Sequence, residues 1–274
     1  MKMSVLMSVY QKDSPEFLRR ALESLAAQTV LADEVVIVKD GPVGAELDAT
    51  TASYHEKLPI VEVQLEHNVG LGLALNAGLR RCERDLVARM DADDICVRDR
   101  FEKQLVFLKQ NPDADVVGGA IAEFHEDYTK IESIRRMPCS AEALGKVARR
   151  RNPLNHMTVM FRKASVIAAG NYQHCNGPMV SLEDYHLWAR MLMQGARLCN
   201  LEDVLVYARI GNGMQRRRGG LPYLREEIKL QRHFMRMGFL SRGQFLLNLI
   251  ARAPVRVAPV LVRTAFYRLV LRHG

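Results

Sequence analysis

Val87-Ala88-Arg89-Met90-Asp91-Ala92-Asp93-Asp94 is an apolar run, opened by Leu86, that ends in three carboxylates within four residues. Helical spacing then takes over from Arg98 to Gln110, with Phe101, Leu105 and Leu108 on one side. A buried strand that opens into an acidic loop puts negative charge at the C-terminal edge of a sheet, where open α/β sheets bind ligands. Carboxylates this close repel one another unless a cation sits between them. Mg²⁺ carried in with a phosphorylated ligand suits that place, because it takes one or two carboxylates together with substrate phosphates. The plainer alternative is a solvated acidic turn that caps the next helix.

Upstream, the pattern alternates strand and helix. Ser4 to Val9, Glu34 to Lys39, and Ile60 to Leu65 are short apolar runs, and Leu86 to Met90 is the fourth. Between them lie helical stretches, the first opened by Ser14-Pro15 as N-cap and first-turn proline and carrying Phe17, Leu18, Ala21, Leu22 and Leu25. Near-continuous apolar strands alternating with helices predict an α/β fold with a mostly parallel sheet covered on both faces. Parallel strands end on one edge, so Tyr10, Asp40 and Asp91, each directly after a strand, are expected to form one site there. Gly70-Leu71-Gly72 lacks the third glycine of a dinucleotide fingerprint, Leu75 standing in its place, and no P-loop lysine motif occurs. Phosphates bound at this edge therefore call for a metal on the acidic loop.

Downstream, Asp115 to Gly119 and Ala120 to Phe124 are expected as strand pieces and Ala141 to Arg150 as a short helix. Met157 to Phe161 is expected as a strand, Tyr185 to Gln194 as a helix, and Val204 to Arg209 as a strand. His156 precedes one of these strands, as a packing histidine or a functional one. Asp184 is placed to cap the helix after it; a cap can also serve as a base, taking a proton from an incoming hydroxyl.

The net charge of +8 conceals an asymmetry: residues 1–208 hold 25 Lys+Arg and 29 Asp+Glu (−4), residues 209–274 hold 14 Lys+Arg against Glu226 and Glu227 (+12). The chain is therefore expected to divide into a catalytic part, 1–210, and a basic helical appendage, 211–274, with different partners. The appendage begins with Arg216, Arg217 and Arg218 between glycines, a grouping suited to phosphate oxygens. Tyr223 to Met237, Ser241 to Ala251 and Val255 to Leu271 follow as helical segments, the last two apolar, studded with arginines and punctuated by Pro254 and Pro259. Such helices suit the surface of an anionic membrane, with packing on the catalytic part as the competing reading. Five scattered cysteines without CxxC spacing argue for reduced thiols in the cytoplasm, and His174-Cys175 has no matching second pair. No uncharged apolar run of 18 residues is present, and Val5 to Val9 is too short for a signal peptide.

As a set, these motifs resemble the family 2 glycosyltransferases, inverting enzymes of the Rossmann-like GT-A fold. The likeness runs over residues 3–210 through five motifs: Ser8-Val9-Tyr10; Val38-Lys39-Asp40-Gly41; Asn68 to Gly72 with Asn76-Ala77-Gly78; Ala88 to Asp94 with Arg100; and Glu183 to Trp188. Asn152 to Arg162 and Arg209 to Gly220 are similar to bacterial surface-polysaccharide transferases of the amylovoran and O-antigen type. The resemblance implies a UDP-sugar donor, with Asp40 on the uracil and Ser8 and Tyr10 lining the base pocket. Asn68, Gly72, Asn76, Arg89, Asp91, Arg216 and Arg217 complete the donor-binding set. Asp91 and Asp93 would be the Asp-x-Asp pair on Mn²⁺ or Mg²⁺, with Asp94 supporting them or sharing the metal. Asp184 would be the general base and His156 a catalytic-site residue near the acceptor. The implied acceptor is a sugar on a polyprenyl pyrophosphate at the inner face of the cytoplasmic membrane, with peripheral attachment.

Two rivals fare worse. A nucleotidyltransferase brings a glycine-rich basic loop near its N-terminus, whereas Tyr10 to Pro15 holds no glycine and one lysine. A nucleic-acid-binding tail interleaves aromatics with its arginines, but beyond residue 240 only Phe245, Phe266 and Tyr267 are aromatic, so no nucleic-acid partner is expected.

Overall fold

Every residue of Met3, Val5, Leu6, Met7 and Val9 is at most 1% exposed, which a strand achieves only when both faces of its sheet are covered. In the computed structural model, which describes residues 1–173, 182–211 and 220–257 (side chains as far as Pro254), nine strands form one sheet. They are β1 (Met3–Val9), β2 (Glu34–Lys39), β3 (Ile60–Gln64), β4 (Leu86–Asp91), β5 (Ile95–Cys96), β6 (Val116–Phe124), β7 (Ser133–Arg135), β8 (Met160–Arg162) and β9 (Leu198–Arg209). The order is β3-β2-β1-β4-β8-β6-β9-β5, with β7 beside β6. The pairs β3-β2, β2-β1, β1-β4 and β6-β9 are parallel, while β8 runs against both β4 and β6, and β5 against β9.

Side-chain alternation splits the core in two. Val5, Met7, Val35, Ile37, Ala88 and Met90 pack on one face with Leu18, Leu22 and Leu25 of α1 (Pro15–Ala26) and Phe101 and Leu108 of α4 (Arg100–Gln110). Leu6, Val36, Val38 and Val87 pack on the other with Leu75 and Leu79 of α3 (Leu71–Arg81) and Leu187 and Trp188 of α7 (Glu183–Met193). The helices α2 (Ala45–Ala52), α5 (Ala141–Ala148) and α6 (Lys163–Ala168) complete this part. The mostly parallel, doubly covered sheet and the expected order of elements are thus present. Ser14 caps α1 by accepting from the Phe17 amide at 3.4 Å.

Four local expectations are corrected. Val116 to Phe124 is one continuous strand. Residues 156–158 form a 3₁₀ turn, and β8 begins only at Met160. Asp184 lies inside the first turn of α7, Leu182 holding the cap position, so it is not the cap. Pro254 does not end its helix: α9 (Arg242–Val257) runs through it, on the exposed side where water can take the freed carbonyl of Ile250. Residues 174–181, 212–219 and 258–274 lie outside the described residues, and with them His174-Cys175, Arg216, Arg217, Arg218 and most of the expected 255–271 segment. The other four cysteines are free.

Where the sheet changes direction, α4 staples it. Arg100 is fully buried, and its guanidinium donates to the carbonyl of Arg89 at 2.8 Å and to that of Val159 at 3.4 Å. Gln104, one turn on, donates to the carbonyls of Val117 and Thr158 at 2.9 and 2.8 Å. Helix α8 (Gly220–Arg236) and α9 pack on the sheet and its helices: Leu230, Phe234, Phe239 and Leu240 share a core with Ala148, Tyr185 and Ala189, and Asn248 of α9 donates to the Arg149 carbonyl. The packing reading of the C-terminal helices therefore holds for their inner faces.

Candidate active site

The parallel register brings the expected residues to one edge. Ser8 pairs with Asp91 across β1 and β4, and Val9 with Lys39 across β1 and β2, so Tyr10, Asp40 and the acidic loop follow three adjacent strands. Asp40 is 4% exposed, and its two carboxylate oxygens accept the backbone amides of Val69 at 2.7 Å and Gly70 at 3.0 Å. Asn68 donates to the Asp40 carbonyl at 3.2 Å. This clamp needs Gly41, whose φ is +84° and where a Cβ would stand 2.7 Å from the Asn68 nitrogen. Gly41→Ala is expected to cost about 2 kcal/mol, from left-handed backbone strain and the backbone clash together. Scanning calorimetry should show Tm several degrees lower, and a wild-type Tm would remove the clamp from the account.

One oxygen from each of Asp91, Asp93 and Asp94 lies within 4.8 Å of the others, the one such group of three among the described residues. The loop is tied at both ends, by β4 on one side and on the other by Ile95 and Cys96 pairing with Tyr207 and Val206 of β9. The backbone amide of Arg209 donates to Asp94 Oδ1 at 2.8 Å, and the Arg209 side chain donates to the Asp93 carbonyl at 3.2 Å. Asp94 Oδ2 is buried with no hydrogen-bond partner. Asp93 is exposed as a residue, yet burial of its carboxyl, followed by the charge of Asp91, pushes that carboxyl up to about 6. Burial raises Asp94 well above the usual range, with Asp93 and Asp91 adding to it. Three convergent hard oxygens, one of them an orphan, fit a divalent Mg²⁺ or Mn²⁺ ion.

Of two close neighbours of the trio, Asp13 was not among the expected site residues and Arg89 was. Asp13 accepts the Tyr10 amide at 3.0 Å, and burial pushes it up to about 7, helped by the charges of Asp93 and Asp91. Its signal was its place in the loop after β1, at the same sheet edge. Arg89 is 2% exposed and ion-paired to Asp91, with Nε and Nη1 buried and unpartnered.

Close to the trio stands the start of α7. Asp184 accepts from Asn152 Nδ2 at 2.5 Å and from the Tyr185 amide at 2.7 Å. Glu183, beside it, is raised to about 7 by burial and by Asp184, and it also feels Arg89 and Asp91, which joins the two walls electrostatically. Gly72 allows the approach of α3: a Cβ there would meet the Glu183 Cβ at 3.2 Å. Asn76 is tied to the Tyr172 backbone, accepting its amide at 3.0 Å and donating to its carbonyl. His156 is 8% exposed, with Nε2 at 2.9 Å from the Tyr172 hydroxyl, and burial followed by the charge of Arg89 holds it neutral. It is a buried partner of Tyr172. Asn152 is the other residue that sequence reasoning did not assign, since its link to Asp184 spans 32 positions.

Comparison with known proteins extends this geometry. Residues 4–170 match the family model described as Glycosyl transferase family 2. The chain is 44% identical to the amylovoran biosynthesis glycosyltransferase AmsE of Erwinia amylovora, over 96% of this chain and 97% of that one. It is 40% identical to the Escherichia coli UDP-Gal:alpha-D-GlcNAc-diphosphoundecaprenol beta-1,3-galactosyltransferase, over 99% and 97%. Among solved structures, S. aureus TarS 1-349 in complex with UDP-GlcNAc superposes with a TM-score of 0.70 at 19% identity, covering 100% of this chain and 77% of that one, which supports the GT-A fold.

Proposed function

Since the chain belongs to glycosyl transferase family 2 and is a glycosyltransferase, we propose that it moves a hexosyl group from a UDP-sugar to a hydroxyl of a lipid-diphosphate-linked sugar, in the assembly of a bacterial surface polysaccharide. The observation that carries this reading is the proximity of the acidic trio at the end of β4 to the start of α7, where Glu183 feels the charges of both Asp184 and Asp91. The donor class and acceptor class follow the relatives whose names state them.

In this reading the base lies in the hollow between Tyr10 and Asp40, and Ser8 sits at the strand end beside it. The diphosphate lies over the acidic loop. Asp91, Asp93 and Asp94 would hold Mg²⁺ or Mn²⁺, and the bound ion supplies charge neutralisation for the leaving diphosphate. Asp184 accepts the proton of the acceptor hydroxyl as its oxygen attacks the anomeric carbon, and the electrons of the broken C–O bond leave with UDP. The attack is in line, so configuration inverts. Asn152 fixes the Asp184 carboxylate for this task. Arg89, buried and cationic, stabilises Asp91 through their ion pair. His156 and Tyr172 set the wall beside it. Arg216 and Arg217 are assigned to phosphate oxygens on residue type alone.

Calorimetry of UDP with wild-type protein tests the donor assignment. Saturable binding is expected with Mn²⁺ or Mg²⁺ and at least about tenfold weaker binding in chelator. Absence of UDP binding under both conditions, with another nucleotide binding instead, would overturn the uridine reading.

A further inference from the structure

Helix α9 is amphipathic in the inverted sense. Its polar side chains face the protein: Asn248 donates to the Arg149 carbonyl at 2.8 Å and to Gln231 Oε1 at 2.9 Å, and Arg252 pairs with Glu227 and donates to the Arg150 carbonyl. Its large aliphatic residues face away, with Leu246 55%, Leu247 67% and Ile250 62% exposed. Gly243, Ala251 and Pro254 extend the same stripe at helical spacing. A helix whose polar face is consumed by specific hydrogen bonds cannot turn over to hide its leucines. The exposed stripe is thus built in.

Beside it, α8 carries the complementary charge. The links Glu227–Arg252 and Gln231–Asn248 show that the two helices run antiparallel as a hairpin. On the side of α8 away from the core, Arg225, Lys229, Arg232 and Arg236 are all exposed, spaced four, three and four residues apart. Among the described residues, only Lys229 of these has a carboxylate within ion-pair distance, Glu226 at 2.7 Å. No helix among the described residues is long and apolar enough to cross a membrane, so the stripe has no place inside a span.

We infer that the α8–α9 hairpin is a docking surface for an anionic lipid bilayer, with Leu246, Leu247 and Ile250 entering the interface and the α8 cations meeting lipid phosphates. The inference deepens the reading of a lipid-carried acceptor and rests on it for the choice of occupant. Apolar side chains beside a row of cations match the layered chemistry of a bilayer surface, apolar below and anionic above. A second copy of the chain would set one cation row against another. The +12 carried by residues 209–274, against −4 for the rest, orients the molecule with this end toward anionic lipid.

Flotation of the full chain with vesicles of phosphatidylcholine alone, and of phosphatidylcholine mixed with phosphatidylglycerol, tests it. Wild type is expected to float with the mixed vesicles, and the triple variant Leu246→Gln, Leu247→Gln, Ile250→Gln to lose at least about tenfold in binding. The variant Arg225→Gln, Lys229→Gln, Arg232→Gln, Arg236→Gln should lose the preference for mixed over neutral vesicles. Calorimetric UDP binding and thermal melting on the same preparations keep folding and donor binding separate from the surface. Undiminished flotation of the triple variant overturns the proposal, placing the contact elsewhere in the chain. A wild type that binds UDP, does not float and elutes as a dimer that the triple variant splits also overturns it, in favour of a second copy. Loss of UDP binding by wild type would count instead against the reading of function.

Discussion

Asp93→Ala is expected to lower kcat/KM for sugar transfer by about a thousandfold or more and to erase the metal dependence of UDP affinity. The residue stands on the acidic loop, exposed, while its carboxylate oxygen lies with those of Asp91 and Asp94 inside 4.8 Å. A cation held there stabilises the leaving diphosphate by several kcal/mol, and about 1.4 kcal/mol corresponds to a tenfold change in rate. Because the residue is exposed and only the backbone carbonyl of Asp93 is used by Arg209, the variant should fold normally. Transfer is read by UDP release and affinity by calorimetry with Mn²⁺ and with chelator. Retention of metal-dependent UDP affinity would move the ligand assignment to Asp91 and Asp94 alone.

The second large effect belongs to Asp184→Asn. The amide keeps a carbonyl oxygen to accept the Asn152 or Tyr185 donor, so the start of α7 should persist, but it cannot take a proton. Turnover is expected to fall by about 10²–10⁴, the usual contribution of a positioned base, with UDP affinity within about twofold of wild type. That split, kcat without donor binding, separates a base from a structural residue. A variant with the wild-type rate would strike Asp184 from the mechanism and leave Glu183, raised to about 7 in the same wall, as the group to change next.

What could be read from the sequence follows the length scale of each interaction. The strands β1, β2 and β4 were legible because short, mostly apolar runs such as Val35-Val36-Ile37-Val38 have no other home, and their shared direction then placed Tyr10, Asp40 and Asp91 together. Strand β8 was read less well: three residues following a 3₁₀ turn carry too little pattern to show where the turn ends and the strand begins. Side-chain targets were the least visible. Asn76 bonds the backbone of Tyr172, 96 positions away, a link no local pattern announces. Asp40 was visible as a site residue, but not that its carboxylate already holds the Val69 and Gly70 amides. The orientation of α9 was hidden because its inner partners, the carbonyls of Arg149 and Arg150, are backbone groups that any sequence supplies.

The acidic loop is anchored to the two ends of a long stretch of chain. Asp91 sits on a strand complete by residue 91, whereas Ile95, Cys96 and Asp94 are held by residues 206–209. A ribosome must therefore synthesise more than a hundred further residues after the last carboxylate before the strand that frames it exists. During that interval the trio is a flexible string of like charges at the end of a half-built sheet. Its shape comes late, with the last strand added, and sheets joined by such distant contacts assemble slowly. Catalytic competence in this protein is thus also a certificate that the sheet has been finished.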